Sequence, residues 1–347
     1  MASSDSARRA RQVLQTPPAV EASPQPEDFL STGLTLVNLA CYGHAYGGVA
    51  KGHIYRVWGR SSSGKTFLCR QILAEAARSQ YFDDYDLVYD DVEYGALMDT
   101  EKFFGKRLVS RLVAPARFKE SHLPAYSRTL AEFYDRLARR LEAGRPCVWV
   151  LDSIDALKPD NLTKMGDGKA KANNQGLRSV LDLLKATKSI LILVNQAHAD
   201  LGSVFKGDTT SGGRALEFYP TLDLRLRVVG GVRRTFKGNE FKVGSLIAAS
   251  VVKNRISGNN WTVYFPFDPK YGLDDIGANL DFLIKYGRWD RTKGVITATD
   301  FALKGDRWEV IREIERQELE QELRVLTAKT WHDIDAALTV ERKPAYE

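Results

Sequence analysis

The stretch VWGRSSSGKTF, residues 57–67, decides how the rest of this chain is read. Gly59 and Gly64 frame a loop of Arg60, Ser61, Ser62 and Ser63, and Lys65, Thr66 and Phe67 follow at once. The spacing G-x-x-x-x-G-K-T lies between a strand-like run, HIYRVW (53–58), and an amphipathic stretch, TFLCRQILAEAARS (66–79). Glycines let backbone N–H groups curl, together with the helix N-terminus, around a polyphosphate. In that frame residues 59–67 hold a nucleoside triphosphate, with Lys65 at the β/γ-phosphates and Thr66 at Mg²⁺. The bland alternative is a Gly/Ser-rich turn before an ordinary helix, and the strand–loop–helix context argues against it.

At 347 residues the chain has room for one large α/β domain and a smaller one. A hydrophobic content of 44% with 27% charged residues suits a soluble globular protein. The net charge of +6 favours an anionic partner such as nucleic acid without requiring one. Cys41, Cys69 and Cys147 have neither metal-ligand spacing nor a disulfide pattern, and the five histidines form no zinc constellation. No apolar run reaches membrane-span length and the N-terminus lacks a signal-peptide core, so a reducing, cytoplasmic compartment is expected.

Residues 1–28 read as a flexible arm: SARRARQVLQ (6–15) is a short basic helix candidate and TPPAVEASPQPED a linker. Over 29–258, strand candidates HIYRVW, DLVYDD (86–91), PCVWVLD (146–152) and SILILVNQ (189–196) alternate with helical patterns at 126–144 and 174–188. That alternation predicts a mainly parallel sheet covered on both faces. TLDLRLRVV (221–229) and GSLIAASVVKN (244–254) extend it as a hairpin. Residues 259–347 change texture and suggest a small C-terminal α+β domain with one long charged helix at 307–326.

Ligands of open parallel sheets collect at the carboxyl ends of the strands. Asp152 ends VWVLD, where a carboxylate holds the Mg²⁺ shell; a helix N-cap is the alternative. VYDDVEYG offers Asp90, Asp91 and Glu93, and Glu93 is placed to polarise an attacking water, though spacing alone leaves open a solvated acidic turn. Gln196 ends LILVNQ and can sense a γ-phosphate without neutralising it. Two Gly-rich, basic segments follow consecutive strands: 161–176, with Lys164, Lys169 and Lys171, and the segment after Gln196, with Lys206 and Arg214. Either could be a mobile surface loop, or could order on a DNA strand.

The order of these motifs resembles the RecA recombinase family, phage-type (UvsX-like) members included. STGLTLVNLACYGHAYGGVAKGHIYRVWGRSSSGKT, YDDVEYGA, VWVLDSIDALKP, LILVNQ, TTSGGRALEFYPTLDLRL and VVKNRISG carry the likeness, and FLIKYGRWDRTKGVITATDFALKGDRW extends it more loosely. The resemblance implies an α/β, RecA-like P-loop ATPase core with ATP and Mg²⁺ as cofactors. It implies Glu93 as the catalytic carboxylate, Asp152 as the Walker B aspartate, and Gln196 as the link from γ-phosphate to the second DNA loop. Lys253 and Arg255 would reach the ATP of the neighbouring subunit, with Phe218 at the same interface. DNA contacts are then expected from Lys169, Lys171 and Arg178 on one segment, and from Lys206, Thr209, Thr210, Gly212, Gly213 and Arg214 on the other. Two departures stand out: Leu97 and Thr100 occupy the family's adenine-flanking positions, and the arm has no clear match to the family's polymerisation helix.

The function implied is an ATP-dependent recombinase that polymerises on single-stranded DNA and exchanges strands with homologous double-stranded DNA, in a bacterial or phage-infected cell. A single-strand-binding protein or loader is a candidate further partner. The rival readings are a RecA-fold motor of helicase or clock type, and a mediator that joins filaments without exchanging strands.

Overall fold

The computed structural model describes residues 25–159, 165–199, 208–210 and 213–339. A two-stranded ribbon, β1 (Phe29–Leu30) with β2 (Val49–Ala50), brackets helix α1 (Thr35–Tyr42). The phosphate-loop strand β3 (Ile54–Gly59) runs into α2 (Lys65–Arg78). Next come β4 (Asp86–Asp91), α3 (Thr100–Arg111), β5 (Leu112–Val113), α4 (Leu130–Glu142) and β6 (Cys147–Asp152). These are followed by α5 (Met165–Ala186), β7 (Ile190–Ala199), β8 (Asp208–Thr210) and the short α6 (Ala215–Phe218). A long hairpin, β9 (Leu222–Phe236) and β10 (Asn239–Asn254), leads to β11 (Thr262–Asp268) and β12 (Gly272–Leu273). The chain closes with α7 (Asp275–Lys285), a small sheet of β13 (Asp290–Thr292), β14 (Val295–Ala298) and β15 (Leu303–Gly305), then α8 (Arg307–Arg316) and α9 (Glu320–Leu338).

The main sheet has the order β12-β11-β10-β9-β3-β7-β6-β4-β5, with β8 pairing β7 off that path. Strands β9, β3, β7, β6, β4 and β5 are parallel neighbours, and the hairpin and β11–β12 add antiparallel pairs. Its strands are apolar throughout because both faces are covered. On β7, Ile190, Ile192 and Val194 join α1 and α2 in one core, while Leu191 and Leu193 join α4 and α5 in the other. Helix α4 buries Leu130, Phe133, Tyr134, Leu137 and Leu141, a stripe at helical spacing. Each such apolar side chain contributes about 1.5–3 kcal/mol when fully buried. Thr129 caps this helix, its side chain accepting from Glu132 N at 3.2 Å.

Three expectations are corrected. Most of 161–176, expected as a flexible loop, is helical from Met165 onward. The sheet runs past the boundary expected at residue 258, because β11 pairs β10 and β12 pairs β11. The helix expected over 307–326 is two helices, broken where Glu318 takes a left-handed φ of 54° and Leu319 N donates to Ile314 O at 3.0 Å. Residues 1–24 of the arm, together with Lys164, Lys206 and Gly212, lie outside the described residues.

Candidate active site

Strand β3 delivers the loop to the carboxyl edge of the sheet. A Cβ at Gly59 would lie 2.1 Å from Leu226 O, so no side chain fits where the loop leaves the strand. The Lys65 ammonium folds over the loop, donating to Gly59 O and Arg60 O, both at 2.9 Å. Burial pulls its pKa below the usual lysine value, while Asp152 and Glu93 push the other way. The next residue, Thr66, donates through Oγ1 to Asp152 Oδ2 at 2.7 Å. Asp152 takes a second bond of 2.7 Å from the Tyr89 hydroxyl. Burial raises the Asp152 pKa despite those two bonds. A buried carboxylate paired with a hydroxyl at the helix start is a donor set of the hard oxygens that Mg²⁺ takes.

The three carboxylates after β4 part company. Asp90 is buried and accepts from Ser127 N at 2.9 Å and Ser127 Oγ at 2.6 Å. Asp91 accepts from Gly95 N and Ala96 N, closing the turn. Glu93 alone faces the loop region: its Oε1 accepts from Ser153 Oγ, and from Gln196 Nε2 at 2.9 Å. Gln196 is in turn held through its backbone N, 2.5 Å from Asp155 Oδ2, while Asn195 Nδ2 donates to both Asp155 oxygens. The structure thus brings Lys65, Thr66, Asp152, Glu93 and Gln196 to one end of the sheet.

The same Asp155 reaches the expected DNA segments, because Lys169 Nζ donates to Asp155 O at 2.6 Å from α5. Lys171 and Arg178 are exposed on that helix, and Lys171, Asn174 and Arg178 recur at the spacing of one helical face. A cleft of about 460 Å³ joins Lys171 and Asn174 to Arg214, Phe218 and Tyr219. Gly213 is fitted to α5: at φ 84°, a Cβ there would meet Ala170 Cβ at 2.5 Å. Thr209 and Thr210 belong to β8, which pairs back onto β7 at Ala197 and His198.

Lys253 and Arg255 stand elsewhere, around the exposed ring of Phe218, at 5.8 and 5.5 Å from its centroid. Lys253 also donates to Glu217 O and Phe218 O at the end of α6. No hydrogen bond or ion pair among the described residues joins this trio to Lys65, Thr66, Asp152 or Glu93. At the adenine-flanking positions, Leu97 is 92% exposed and Thr100 is taken up by Arg70 Nη1 at 2.8 Å.

Sequence reasoning missed Tyr89, Ser153, Asp155 and Arg70. The buried Arg70 guanidinium lies 4.4 Å from the Tyr89 ring centroid while holding Thr100, linking α2 to the segment after Glu93. A signal existed for Arg70 alone, one helical turn beyond Thr66 on α2.

The model of the RecA N-terminal domain matches residues 21–267. Protein RecA of Caldanaerobacter subterraneus subsp. tengcongensis is 32% identical over 267 residues, covering 72% of this chain and 71% of that protein. Protein RecA of Laribacter hongkongensis is 30% identical over 280 residues, covering 75% and 71%. Protein RecA of Nitratiruptor sp. is 29% identical over 287 residues, covering 78% and 76%.

Proposed function

This chain belongs to the RecA recombinase family, and we propose that it is a DNA-dependent ATPase that forms helical homo-oligomers on single-stranded DNA and exchanges strands with homologous duplex. One observation carries the reading. Gln196, on the strand that leads into the second expected DNA segment, donates to Glu93 beside the phosphate loop. A hydrolytic carboxylate bonded to the DNA-side strand is what a DNA-responsive ATPase requires.

In this mechanism the backbone of residues 59–66 cradles the phosphates of ATP, and Lys65 offsets their negative charge. Thr66 and Asp152 would hold Mg²⁺, which when bound supplies charge stabilisation to the transferring phosphoryl group. Both described bonds to Glu93 fall on Oε1, leaving Oε2 to take the proton of the attacking water. A γ-phosphate offers the Gln196 amide a competing acceptor, so nucleotide state biases β7 and the segment beyond it. Lys171, Arg178 and Arg214 line the DNA side, with Lys169 tied to Asp155; Lys206, Thr209, Thr210, Gly212 and Gly213 complete the expected contacts. Lys253 and Arg255 act across the subunit interface. A single-strand-binding protein or loader fits the same reading, as does the cytoplasm of a bacterial or phage-infected cell.

Electron microscopy with single-stranded DNA and ATP, followed by a strand-exchange assay on the same sample, tests the proposal. Helical filaments that exchange strands are expected. Closed rings would support the motor reading, and filaments without exchange the mediator reading.

A further inference from the structure

We infer that the tip of the β9–β10 hairpin is an additional contact for single-stranded nucleic acid, which stacks unpaired bases on exposed aromatic rings. The fold does not demand the tip's composition. Strand β11 pairs β10 only over Ser245–Ser250, so residues 232–244 form a two-stranded extension without a third strand. Its turn is Lys237–Gly238, both at positive φ, a geometry that needs no aromatic neighbour. Yet Phe236 and Phe241 flank it, 65% and 52% exposed. A fold gains nothing from large apolar rings held in water, and contiguous exposed ones mark interaction sites.

The register places these rings on one face. Phe236 opposes Asn239 and Arg234 opposes Phe241, so the two phenylalanines are diagonal neighbours, roughly 7 Å apart at such spacing. Arg234 lies beside them, its guanidinium 4.2 Å from the Trp308 ring centroid, and Asp268 holds it at 3.3 Å. Trp308 is 37% exposed. The face therefore runs Trp308, Arg234, Phe241, Phe236 and on to Lys237, alternating rings and cations.

Charge selects the occupant. From Val232 to Gly244 the hairpin carries Arg233, Arg234, Lys237 and Lys242 against Glu240 alone, a net of +3. Two copies of such a tip facing each other would repel, whereas a polyanion is attracted. The cleft beneath, of about 660 Å³, is lined by as many carboxylates as cations, so the excess charge belongs to the hairpin. Exposed rings interleaved with cations suit a strand whose bases are free to stack, and suit a closed duplex poorly.

The inference goes beyond the proposed function and shares with it only DNA as the polynucleotide. The test uses the full chain with an oligonucleotide carrying 5-bromodeoxyuridine, photo-cross-linked and mapped by peptide mass spectrometry, alongside anisotropy titrations with oligothymidylate. Cross-links to the peptide spanning 232–242 are expected. Phe236→Ala with Phe241→Ala should weaken single-strand binding at least about fivefold and duplex binding less. Lys237→Ala should lower the salt slope for single strands by about 0.7. Cross-links confined to other peptides, with affinity unchanged in the double variant, overturn the inference and leave the proposed function standing. Loss of affinity only together with loss of DNA-free self-association, read by light scattering, assigns the face to contacts between copies and also overturns it. A wild-type chain that binds no DNA at low salt overturns the proposed function itself.

Discussion

Gln196 Nε2 lies 2.9 Å from Glu93 Oε1 although 103 residues separate them in sequence. Two strand-end regions, on β7 and just past β4, meet there because β6 lies between those strands and brings Ser153 to the same oxygen. Glu93→Gln keeps the shape and removes the base. ATP binding should persist, DNA should be held longer, and hydrolysis should fall about a hundredfold or more. Phosphate release under saturating ATP checks this; unchanged turnover would reduce Glu93 to a surface carboxylate.

Gln196→Ala separates chemistry from its control. Glu93 keeps its bond from Ser153, so basal hydrolysis should stay within a few-fold of wild type, flagged here as roughly 1 kcal/mol of lost positioning. Stimulation by single-stranded DNA should disappear, since the side-chain link between β7 and the carboxylate is gone. Comparing turnover with and without oligothymidylate reads both quantities in one experiment.

The phosphate loop was legible because its chemistry is local: spacing, flanking strand and following helix are consecutive in sequence. Asp152 and Gln196 were legible as polar residues ending apolar runs. Tyr89, Ser153 and Asp155 were not, because each acquires its partner from a different strand, and nothing in one stretch announces which strands become neighbours. The early start of α5 was hidden by Gly166 and Gly168, poor helix formers whose cost tertiary packing overrides. The break before α9 was hidden for the opposite reason. RQELEQEL contains neither glycine nor proline and reads as unbroken helix, and Leu319 N bonding back to Ile314 O closes the first helix nonetheless.

Asp90 carries a pH signature. Its side chain is fully enclosed, and burial pushes its pKa up to about 6 from 3.8 while the Ser127 bonds pull the other way. The folded state therefore binds this proton more tightly than the unfolded state does. The stability it contributes is complete below about pH 3.8 and is lost as pH rises through about 6. Asp90→Asn should remove that loss, stabilising the protein by about 1–3 kcal/mol at pH 7.5 and by almost nothing near pH 4. Urea unfolding at the two pH values measures it; equal destabilisation at both would mean the bonds to Ser127 outweigh the buried charge.

Lys65→Ala removes an ammonium whose described partners are the loop's own carbonyls, Gly59 O and Arg60 O. The fold should survive, because those carbonyls stand at a solvent-facing loop, while nucleotide affinity and turnover collapse. Circular dichroism should match wild type as fluorescent-nucleotide binding is lost; turnover at the wild-type rate would refute the phosphate-loop assignment.

Lys253 and Arg255 supply the last prediction. Both cations gather at the exposed Phe218 ring, and the lysine pKa is lowered by burial first and by Arg255 second. Two like charges held together are costly unless an anion joins them, and the carbonyls of Glu217 and Phe218 offer Lys253 only partial charge. An anion from the chain's own phosphate loop is not at hand, since no described contact joins the trio to Lys65. A γ-phosphate presented by a neighbouring subunit meets the requirement. Changing both residues to Ala should leave nucleotide binding by the monomer nearly intact, yet abolish DNA-stimulated hydrolysis and cooperative filament growth together. Mixing that double variant with Lys65→Ala protein restores some interfaces in which an intact loop faces an intact Lys253/Arg255 pair. Partial recovery of ATPase is expected, and its absence in mixtures shown to co-assemble would place the action of the pair within one subunit.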